Sequence, residues 1–189
     1  NNLAAFARIE QLLTGKIVLD DFFLDQDQRW RIVVKLAEFR QSGYAALAAR
    51  EFDRDSSAKG AENALKVRVV SARGDEKWDW LQQVVAAGEN YTLQRSRTIQ
   101  EALFPYSSQR KLMTPYAKEF VELLPVMSAN HDVVFHDKVT QYMMPRLCSM
   151  ENAQRLNQAA VDYAELNPAI VRALKVGGQL NERCALMGK

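Results

Sequence analysis

Cysteine, histidine, proline and glycine are all scarce in this sequence, with two Cys, two His, five Pro and eight Gly among 189 residues. Two cysteines are too few for a disulfide framework, and Cys148 and Cys184 lie far apart, so we expect two reduced thiols. No apolar run approaches the roughly 20 residues of a membrane-spanning helix. A disulfide-stabilised scaffold and a membrane-anchored chain are therefore not expected.

An excess of charge of one sign is also missing, since 25 basic residues stand against 23 acidic ones. A nucleic-acid-binding surface normally shows clustered excess Lys and Arg. The longest basic runs lie around Arg95–Arg97 and Arg110–Lys111, and solvated helix faces explain both. We therefore expect neither nucleic acid nor a membrane as a partner.

The first residues, Asn-Asn-Leu-Ala-Ala-Phe-Ala-Arg, lack the basic-then-apolar order of a signal peptide. Together with the expected reduced thiols, this favours a cytoplasmic location. The chain also starts directly in a helical pattern without an initiator Met, and 189 residues suit one domain or one module. We therefore predict a single domain over residues 1–189 that is a fragment of a larger protein.

The stretch from Gly15 to Trp30 joins a first short helix to a second, strongly amphipathic one. Asp25 and Asp27 lie where the second helix begins, and a carboxylate there accepts an otherwise unpaired backbone N–H. Trp30 opens the apolar stripe of this helix, and we expect Arg29 to pair with Asp25 or Asp27. The four residues are thus predicted to form a structural motif.

Apolar residues recur at helical spacing through most of the chain. Only residues 16–24 show a strand-like alternation, and their apolar side chains need a core. We predict an all-α fold of about ten helices, stacked in antiparallel pairs as a HEAT- or armadillo-like superhelix. We also predict a kink or displaced start at Pro115, a helix end at Pro125 and a weak point at Gly177–Gly178.

No arrangement of residues predicts an active site. His131 and His136 lie five residues apart, about 140° around a helix at ~100° per residue, whereas a zinc-binding pair needs the i, i+4 spacing. Asp132 with His136 is expected to form at most a surface pair. HExxH and Gly-x-Ser-x-Gly motifs are both absent, and neither cysteine has a histidine close in sequence. We therefore predict no catalytic residue and no metal ligand.

Several ordered motifs resemble a known family. The stretch from Gly15 to Trp30 reads Gly-x-Ile-Val-Leu-Asp, a short spacer and Leu-Asp-x-Asp-x-Arg-Trp, and an Asp55-x-Ser57-x-x-Gly60 turn follows. A second block then contains Leu93-Gln94-Arg95, Leu103-Phe104-Pro105, Gln109-x-x-Leu112-x-x-Pro115-Tyr116 and Phe120-x-x-x-Leu124-Pro125. Together these motifs cover most of residues 11–125 and resemble the C-terminal helical domain of zinc-dependent aminopeptidases of the aminopeptidase N family (gluzincins). The remaining third resembles the family mainly by its helical character.

The resemblance implies a non-catalytic C-terminal domain of a zinc metallopeptidase that removes N-terminal amino acids from peptides. In that family an upstream domain binds zinc through HExxH and a distant Glu, and a Gly-x-Met-Glu-Asn segment holds the substrate. None of these residues is present here, so the fragment should be inactive alone, with zinc expected only in the upstream domain. The resemblance implies that the helical domain closes over the catalytic cleft and encloses the substrate chamber. Its expected partners are the catalytic domain of the same chain and peptide substrates.

The chamber-facing wall is predicted on the polar side of the helix expected over Thr92–Phe104, because this helix is less apolar than its neighbours. This wall includes Gln94, Arg95 and Arg97, together with Tyr106; an ordinary solvent-exposed face is the alternative. The competing function is a free-standing helical-repeat scaffold that binds a partner protein. A third hypothesis, that the chain is itself an enzyme, predicts zinc-dependent hydrolysis by the isolated fragment, and we expect none.

Overall fold

The structure is a computed structural model that describes residues 2–86, 92–130 and 133–188. Within these ranges the chain forms eleven α-helices, one 3-10 turn and one π-helical turn, and no β-strand is present. The predicted all-α fold of stacked helices is thereby confirmed. The chain divides into two compact units, Asn1–Ala72 and Arg73–Lys189, and a single domain over residues 1–189 stays a prediction.

Unit 1 is built around its second helix. The helices are α1 (Asn2–Leu13), α2 (Gln26–Glu38), α3 (Tyr44–Arg54) and α4 (Ala58–Ser71). Helix α2 packs against each of the other three. Trp30, Val33 and Ala37 recur at helical spacing on α2, and each is at most 1% exposed. The apolar stripe predicted to begin at Trp30 therefore forms the centre of this core.

Unit 2 contains the other seven α-helices. They are α5 (Asp75–Val85), α6 (Leu93–Leu103), α7 (Tyr106–Met113), α8 (Ala117–Asn130), α9 (Val133–Lys138), α10 (Met150–Asp162) and α11 (Pro168–Met187). The π-helical turn Val139–Met143 continues α9. Helices α10 and α11 form the most extensive pair, with Leu156, Ile170 and Leu174 fully buried. The fully buried Lys77 donates from Nζ to the Leu103 carbonyl, which satisfies an otherwise free acceptor at the end of α6.

The two helix-interrupting prolines behave differently. Pro115 lies in the 3-10 turn Thr114–Tyr116 between α7 and α8, so the predicted interruption is confirmed. Pro125 lies inside α8, and the prediction that a helix ends there is wrong. Leu124 and Met127 beside it are fully buried. Packing of the surrounding turn therefore keeps the helix continuous in spite of the N–H that proline lacks.

The glycine pair in α11 is a close-packing site and not a weak point, so this prediction is also wrong. Helix α11 continues without a break through Gly177 and Gly178, and both are buried. A Cβ on Gly178 would lie 2.1 Å from Asn157 Oδ1, and one on Gly177 would lie 3.0 Å from Met144 Cγ. The missing side chains therefore allow α10 and the segment after the π-turn to approach α11 closely.

Residues 16–24 form neither a strand nor a packed segment. Leu19 and Phe22 make an isolated bridge, and Asp21 has a positive φ of 58°. Val18 is 75% exposed and Phe23 is 85% exposed. The expected core for these side chains is therefore absent from the described part of the chain.

Cys148 and Cys184 form a disulfide, so the prediction of two reduced thiols is wrong. Asn181 on α11 holds the segment that carries Cys148 close to this helix. Its Oδ1 accepts hydrogen bonds from the Leu147 and Cys148 amides at 2.7 and 3.1 Å. Its Nδ2 donates to the Pro145 carbonyl at 2.9 Å, and Cys184 follows one helical turn later. The cysteines therefore no longer favour a cytoplasmic location. Among the described residues, no helix has the length and apolar character needed to cross a membrane.

Candidate functional site

The first sequence motif caps helix α2. Asp25 accepts the Gln28 amide at 2.7 Å, and the Gln28 side chain accepts the Asp25 amide at 3.0 Å. The predicted N-cap at Asp25 is confirmed as a reciprocal capping box. Asp27 lies in the first turn of the helix, where the exposed amides favour a negative charge.

Arg29 pairs with Glu51 of α3, so the expected pairing with Asp25 or Asp27 is wrong. Its Nη2 lies 2.7 Å from Glu51 Oε2, and the two side chains are only 16% and 3% exposed. Arg29 also donates from Nη1 to the Leu13 carbonyl at 3.2 Å. The two aspartates are exposed and keep their hydration, whereas a buried Glu51 needs a cationic partner. This choice of partner depends on where α3 packs.

The Glu51 carboxylate is held ionised by its hydrogen bonds. Burial by itself raises its pKa, but hydrogen bonds from Arg29 and Gln26 and the Arg29 charge outweigh burial and lower the pKa below 4.5. Gln26 Nε2 donates to Glu51 Oε1 at 2.8 Å. The pair is therefore a structural brace that joins α1, α2 and α3.

The second sequence motif joins α3 to α4. Trp30 Nε1 donates to Asp55 Oδ2 at 2.8 Å, and Ser57 Oγ donates to Asp55 Oδ1 at 2.6 Å. Hydrogen bonds from Ser57 and then Trp30 lower the pKa of the Asp55 carboxyl. Ser57 Oγ also caps α4 by accepting the Gly60 amide at 3.1 Å. A Cβ on Gly60 would lie 1.9 Å from the Asp55 carbonyl oxygen, so this position requires glycine.

The residues predicted to face a substrate chamber do not form one cluster. Gln94, Arg95 and Arg97 are all exposed on α6. The Arg95 guanidinium lies 6.0 Å from the Trp80 ring centroid, and Arg97 Nε donates to Glu101 Oε1 at 3.0 Å. The role of these side chains as a chamber wall therefore stays a prediction.

Tyr106 lines a groove of about 380 Å³ in unit 2. We call this the Tyr106 groove, and its main lining residues are Glu101, Phe104, Tyr106, Arg110, Tyr142 and Arg146. Of the four predicted side chains, Tyr106 lies in the groove, Arg97 adjoins it through Glu101, and the other two are not among its lining residues. The groove therefore combines one carboxylate, two arginines and several aromatic rings.

Arg110 and Arg146 both lie against the ring of Tyr106. Their Cζ atoms are 5.5 and 5.4 Å from its centroid, within the range of a cation–π interaction. Tyr106 and Arg110 are four residues apart on α7, and the non-helical dihedral angles of Gln109 (φ −116°, ψ 18°) kink the helix between them. Arg146 lies forty residues from Tyr106 in the chain, and only the fold brings it there. The solvated face expected at Arg110 is therefore part of a groove.

Of the two histidines, His136 lies among the described residues. His131 and Asp132 lie outside the described residues. His136 is 4% exposed and is not a surface residue, so the expectation of a surface pair is wrong for it. Asn167 Nδ2 lies 2.9 Å from His136 Nδ1, and the Met127 carbonyl lies 3.3 Å from Nε2. The ring of His136 is therefore held between Asn167 and the Met127 carbonyl inside unit 2.

The described residues do not fit a zinc site. No group of three or more His, Cys, Asp or Glu side chains within the described ranges could hold a metal ion. Zinc in proteins is held by such ligands, usually three or four of them. No zinc-dependent step is therefore assigned to the described residues.

The sequence is similar to a curated peptidase. No family model matches the chain. It is 24% identical over 167 residues to aminopeptidase N of Streptomyces lividans. This similarity covers 87% of the chain but 19% of the relative, so the chain spans about a fifth of that protein's length. The chain is therefore similar to one segment of aminopeptidase N.

Proposed function

We propose that this chain is a non-catalytic C-terminal helical domain of a zinc metalloaminopeptidase, in which it closes over the catalytic cleft and forms part of the substrate chamber. The observation that carries this proposal is the similarity to aminopeptidase N along 87% of the chain. The zinc and the peptide-bond chemistry belong, in this proposal, to a separate upstream domain. In this proposal the chain forms part of the chamber wall, places charged side chains along it and closes over the cleft.

The positions of the family-like motifs support a fold shared with the helical domain of the aminopeptidase N family. Asp25 caps α2, and Trp30, Asp55 and Gly60 form the junction between α2, α3 and α4. Each of these residues has a geometric requirement that few other residue types satisfy. These motifs fix how α2, α3 and α4 pack against one another. Such a structural role suits a non-catalytic domain.

The exposed apolar segment supports a contact with another domain. Val18 and Phe23 are 75% and 85% exposed, and Leu19 and Phe22 are each 44% exposed. Clustered apolar side chains of this size often mark an interaction surface. We propose that the upstream domain of the same polypeptide covers them.

The Tyr106 groove supports a role in contacting peptides. It offers the aromatic faces of Tyr106 and Tyr142, the donors of Arg110 and Arg146, and the carboxylate of Glu101. Extended peptides present carbonyls, amides and charged ends, which such side chains bind without doing chemistry. In the proposed chamber this groove faces the peptide beyond its N-terminal residue.

The test uses the complete polypeptide encoded by the reading frame that contains this chain. We expect an HExxH-containing domain upstream and zinc-dependent hydrolysis of an aminoacyl p-nitroanilide. Substituting Tyr106→Ala should raise KM for long peptides more than for dipeptides, because only long peptides reach the groove. Arg8→Gln, an exposed change on α1, is the matched control. The proposal fails if no peptidase domain precedes the chain, or if both variants show the wild-type dependence on peptide length.

A free-standing scaffold that binds a partner protein is the second candidate, and the exposed Val18 and Phe23 favour it equally. It predicts a native start codon close to Asn1 and no peptidase domain upstream. The isolated chain is expected to hydrolyse no aminoacyl chromogenic substrate in the presence of zinc. Hydrolysis by the purified chain would contradict both candidates.

A further inference from the structure

Three arginines converge beside the disulfide of unit 2. A second groove, also of about 380 Å³, adjoins the Tyr106 groove and shares three lining residues with it. We call it the arginine groove, lined by Tyr106, Arg110, Arg146, Arg183 and the disulfide between Cys148 and Cys184. Leu180 and Met187 provide an apolar side, and no carboxylate is among its lining residues. The groove therefore carries three positive charges and no negative one.

These guanidinium groups retain unused hydrogen-bond donors. Within the described ranges, Arg110, Arg146 and Arg183 form no ion pair. Arg110 Nη1 lies 4.0 Å from Cys184 Sγ, a weak contact. Each guanidinium carries five N–H donors in a planar fork, whose geometry matches a carboxylate or a phosphate. Arg110 and Arg146 are half-buried, so an anion placed between them would be screened less than at an open surface.

The fold holds two of the arginines in place before any ligand arrives. Arg110 packs against the Tyr106 ring, as does Arg146. Arg146 lies between Pro145 and Leu147, whose carbonyl and amide are both bonded to the side chain of Asn181. The disulfide ties the following residue to α11 as well. Preorganised donors lose little conformational entropy when they bind.

We infer that the arginine groove binds an oxyanion, with the forks of Arg110 and Arg146 as its ligands and Arg183 adding charge at the exposed rim. The apolar side formed by Leu180 and Met187 fits an anion carried on a partly apolar body. A peptide carboxylate is one source of such an anion, and the choice of a peptide rests on the proposed function. A small free oxyanion such as phosphate is the other source. The site itself rests on the geometry of unit 2 alone.

Direct binding to the 189-residue chain tests the site without any peptidase activity. The probes are an N-acetylated pentapeptide with a free C-terminal carboxylate and apolar side chains, the same peptide as its C-terminal amide, and inorganic phosphate. Isothermal titration calorimetry at low ionic strength measures each affinity. If the peptide is the source, the free acid binds at least about tenfold more tightly than the amide, and phosphate competes weakly. If a free oxyanion is the source, phosphate binds and displaces the peptide acid.

Substitutions then assign the ligands. Arg110→Gln and Arg146→Gln should each weaken binding by about tenfold to a hundredfold, the loss expected for a charge-assisted hydrogen bond. Arg146→Lys should weaken it too, because a lysine keeps the charge but loses the planar fork. Arg8→Gln in unit 1 removes the same charge far along the chain and should leave the affinity unchanged. Far-UV circular dichroism melts confirm that each variant is folded, and Arg110→Lys replaces Arg110→Gln if the latter is not.

The outcomes separate this inference from the proposed function. Binding of either oxyanion that falls with Arg110 and Arg146 but not with Arg8 supports the site, whatever the parent polypeptide does. Equal affinity for acid and amide with no phosphate binding overturns it. So does binding that Arg110→Gln and Arg146→Gln leave unchanged. A peptide acid that binds to a chain whose reading frame holds no peptidase domain removes the proposed function and leaves the oxyanion site standing.

Discussion

The brace between Arg29 and Glu51 makes a quantitative prediction about the stability of unit 1. The Glu51 carboxylate receives hydrogen bonds from Arg29 Nε at 2.9 Å and Arg29 Nη2 at 2.7 Å, and one from Gln26 at 2.8 Å. Substituting Glu51→Ala would leave a mostly buried guanidinium without its carboxylate. Removing one partner of a buried pair typically costs about 3–5 kcal/mol. That is a large part of the roughly 5–15 kcal/mol that stabilises a typical domain.

Replacing both charges tests the reason for this cost. In the double variant Arg29→Met with Glu51→Leu, neither charge has to be desolvated, and the apolar volume is largely kept. We expect the double variant to be destabilised by at most about 2 kcal/mol, because well-packed apolar replacements of buried ion pairs are often neutral. The Leu13 carbonyl loses its donor in this variant, which accounts for part of that cost.

Urea unfolding followed by far-UV circular dichroism gives the free energy of unfolding of each variant. Hydrogen exchange measured by mass spectrometry localises the loss, which should appear in α2 and α3. The control is the pair of Arg155 and Glu151, which has the same 2.7 Å separation but is 27% and 80% exposed. Glu151→Ala should cost less than about 1 kcal/mol. The prediction is wrong if the double variant loses as much as the sum of the single variants Arg29→Met and Glu51→Leu, or if Glu151→Ala loses as much as Glu51→Ala.

Three further predictions concern pH, the disulfide and the glycine pair. The lowered pKa of Glu51 means that its stabilising contribution is complete above its ordinary value of 4.5 and is lost as pH falls through the lower pKa of the folded state; acid unfolding curves should flatten in Glu51→Gln, and an unchanged curve would contradict this. Replacing Cys148 and Cys184 by Ser should lower the free energy of unfolding by up to about 4 kcal/mol, the chain-entropy estimate for a 36-residue separation; equal thermal melting temperatures in the two forms would contradict it. Gly177→Ala should cost about 1–3 kcal/mol because its Cβ would meet the buried Met144 Cγ at 3.0 Å and Leu156 Cδ1 at 3.1 Å, whereas Gly178→Ala should cost less because the exposed Asn157 side chain can turn away; equal losses in urea titrations would contradict this.

Sequence reasoning succeeded where the determinant is local. The helical period identified the elements, the Asp25 cap follows from the first turn of α2, and the interruption at Pro115 follows from the ring of proline itself. Local rules predicted a helix end at Pro125 and a weak point at Gly177–Gly178, and both predictions were wrong. The helices continue there because neighbouring helices pack on them. Intrinsic propensity is worth at most a few kcal/mol, and tertiary packing readily exceeds it.

Two of the groove side chains, Tyr106 and Arg110, lie close together in the sequence. Tyr106 was predicted as part of a chamber wall, and Arg110 lies four residues later, just past the kink at Gln109. Arg146 and Arg183 are on other elements, and they come to the grooves through the Asn181 hydrogen bonds and the disulfide. A charge count near zero also concealed the local concentration of arginines, because opposite charges elsewhere in the chain cancel it.

The sequence by itself determined the all-α class, the helix starts and the family resemblance, because each depends on residues within a few positions of one another. Only the tertiary structure decided that Arg29 pairs with Glu51, that Cys148 meets Cys184 and that Val18 and Phe23 remain exposed. Those outcomes depend on which distant surfaces meet. A buried charge takes the partner that packing provides, and an apolar side chain is buried only where another surface arrives to cover it.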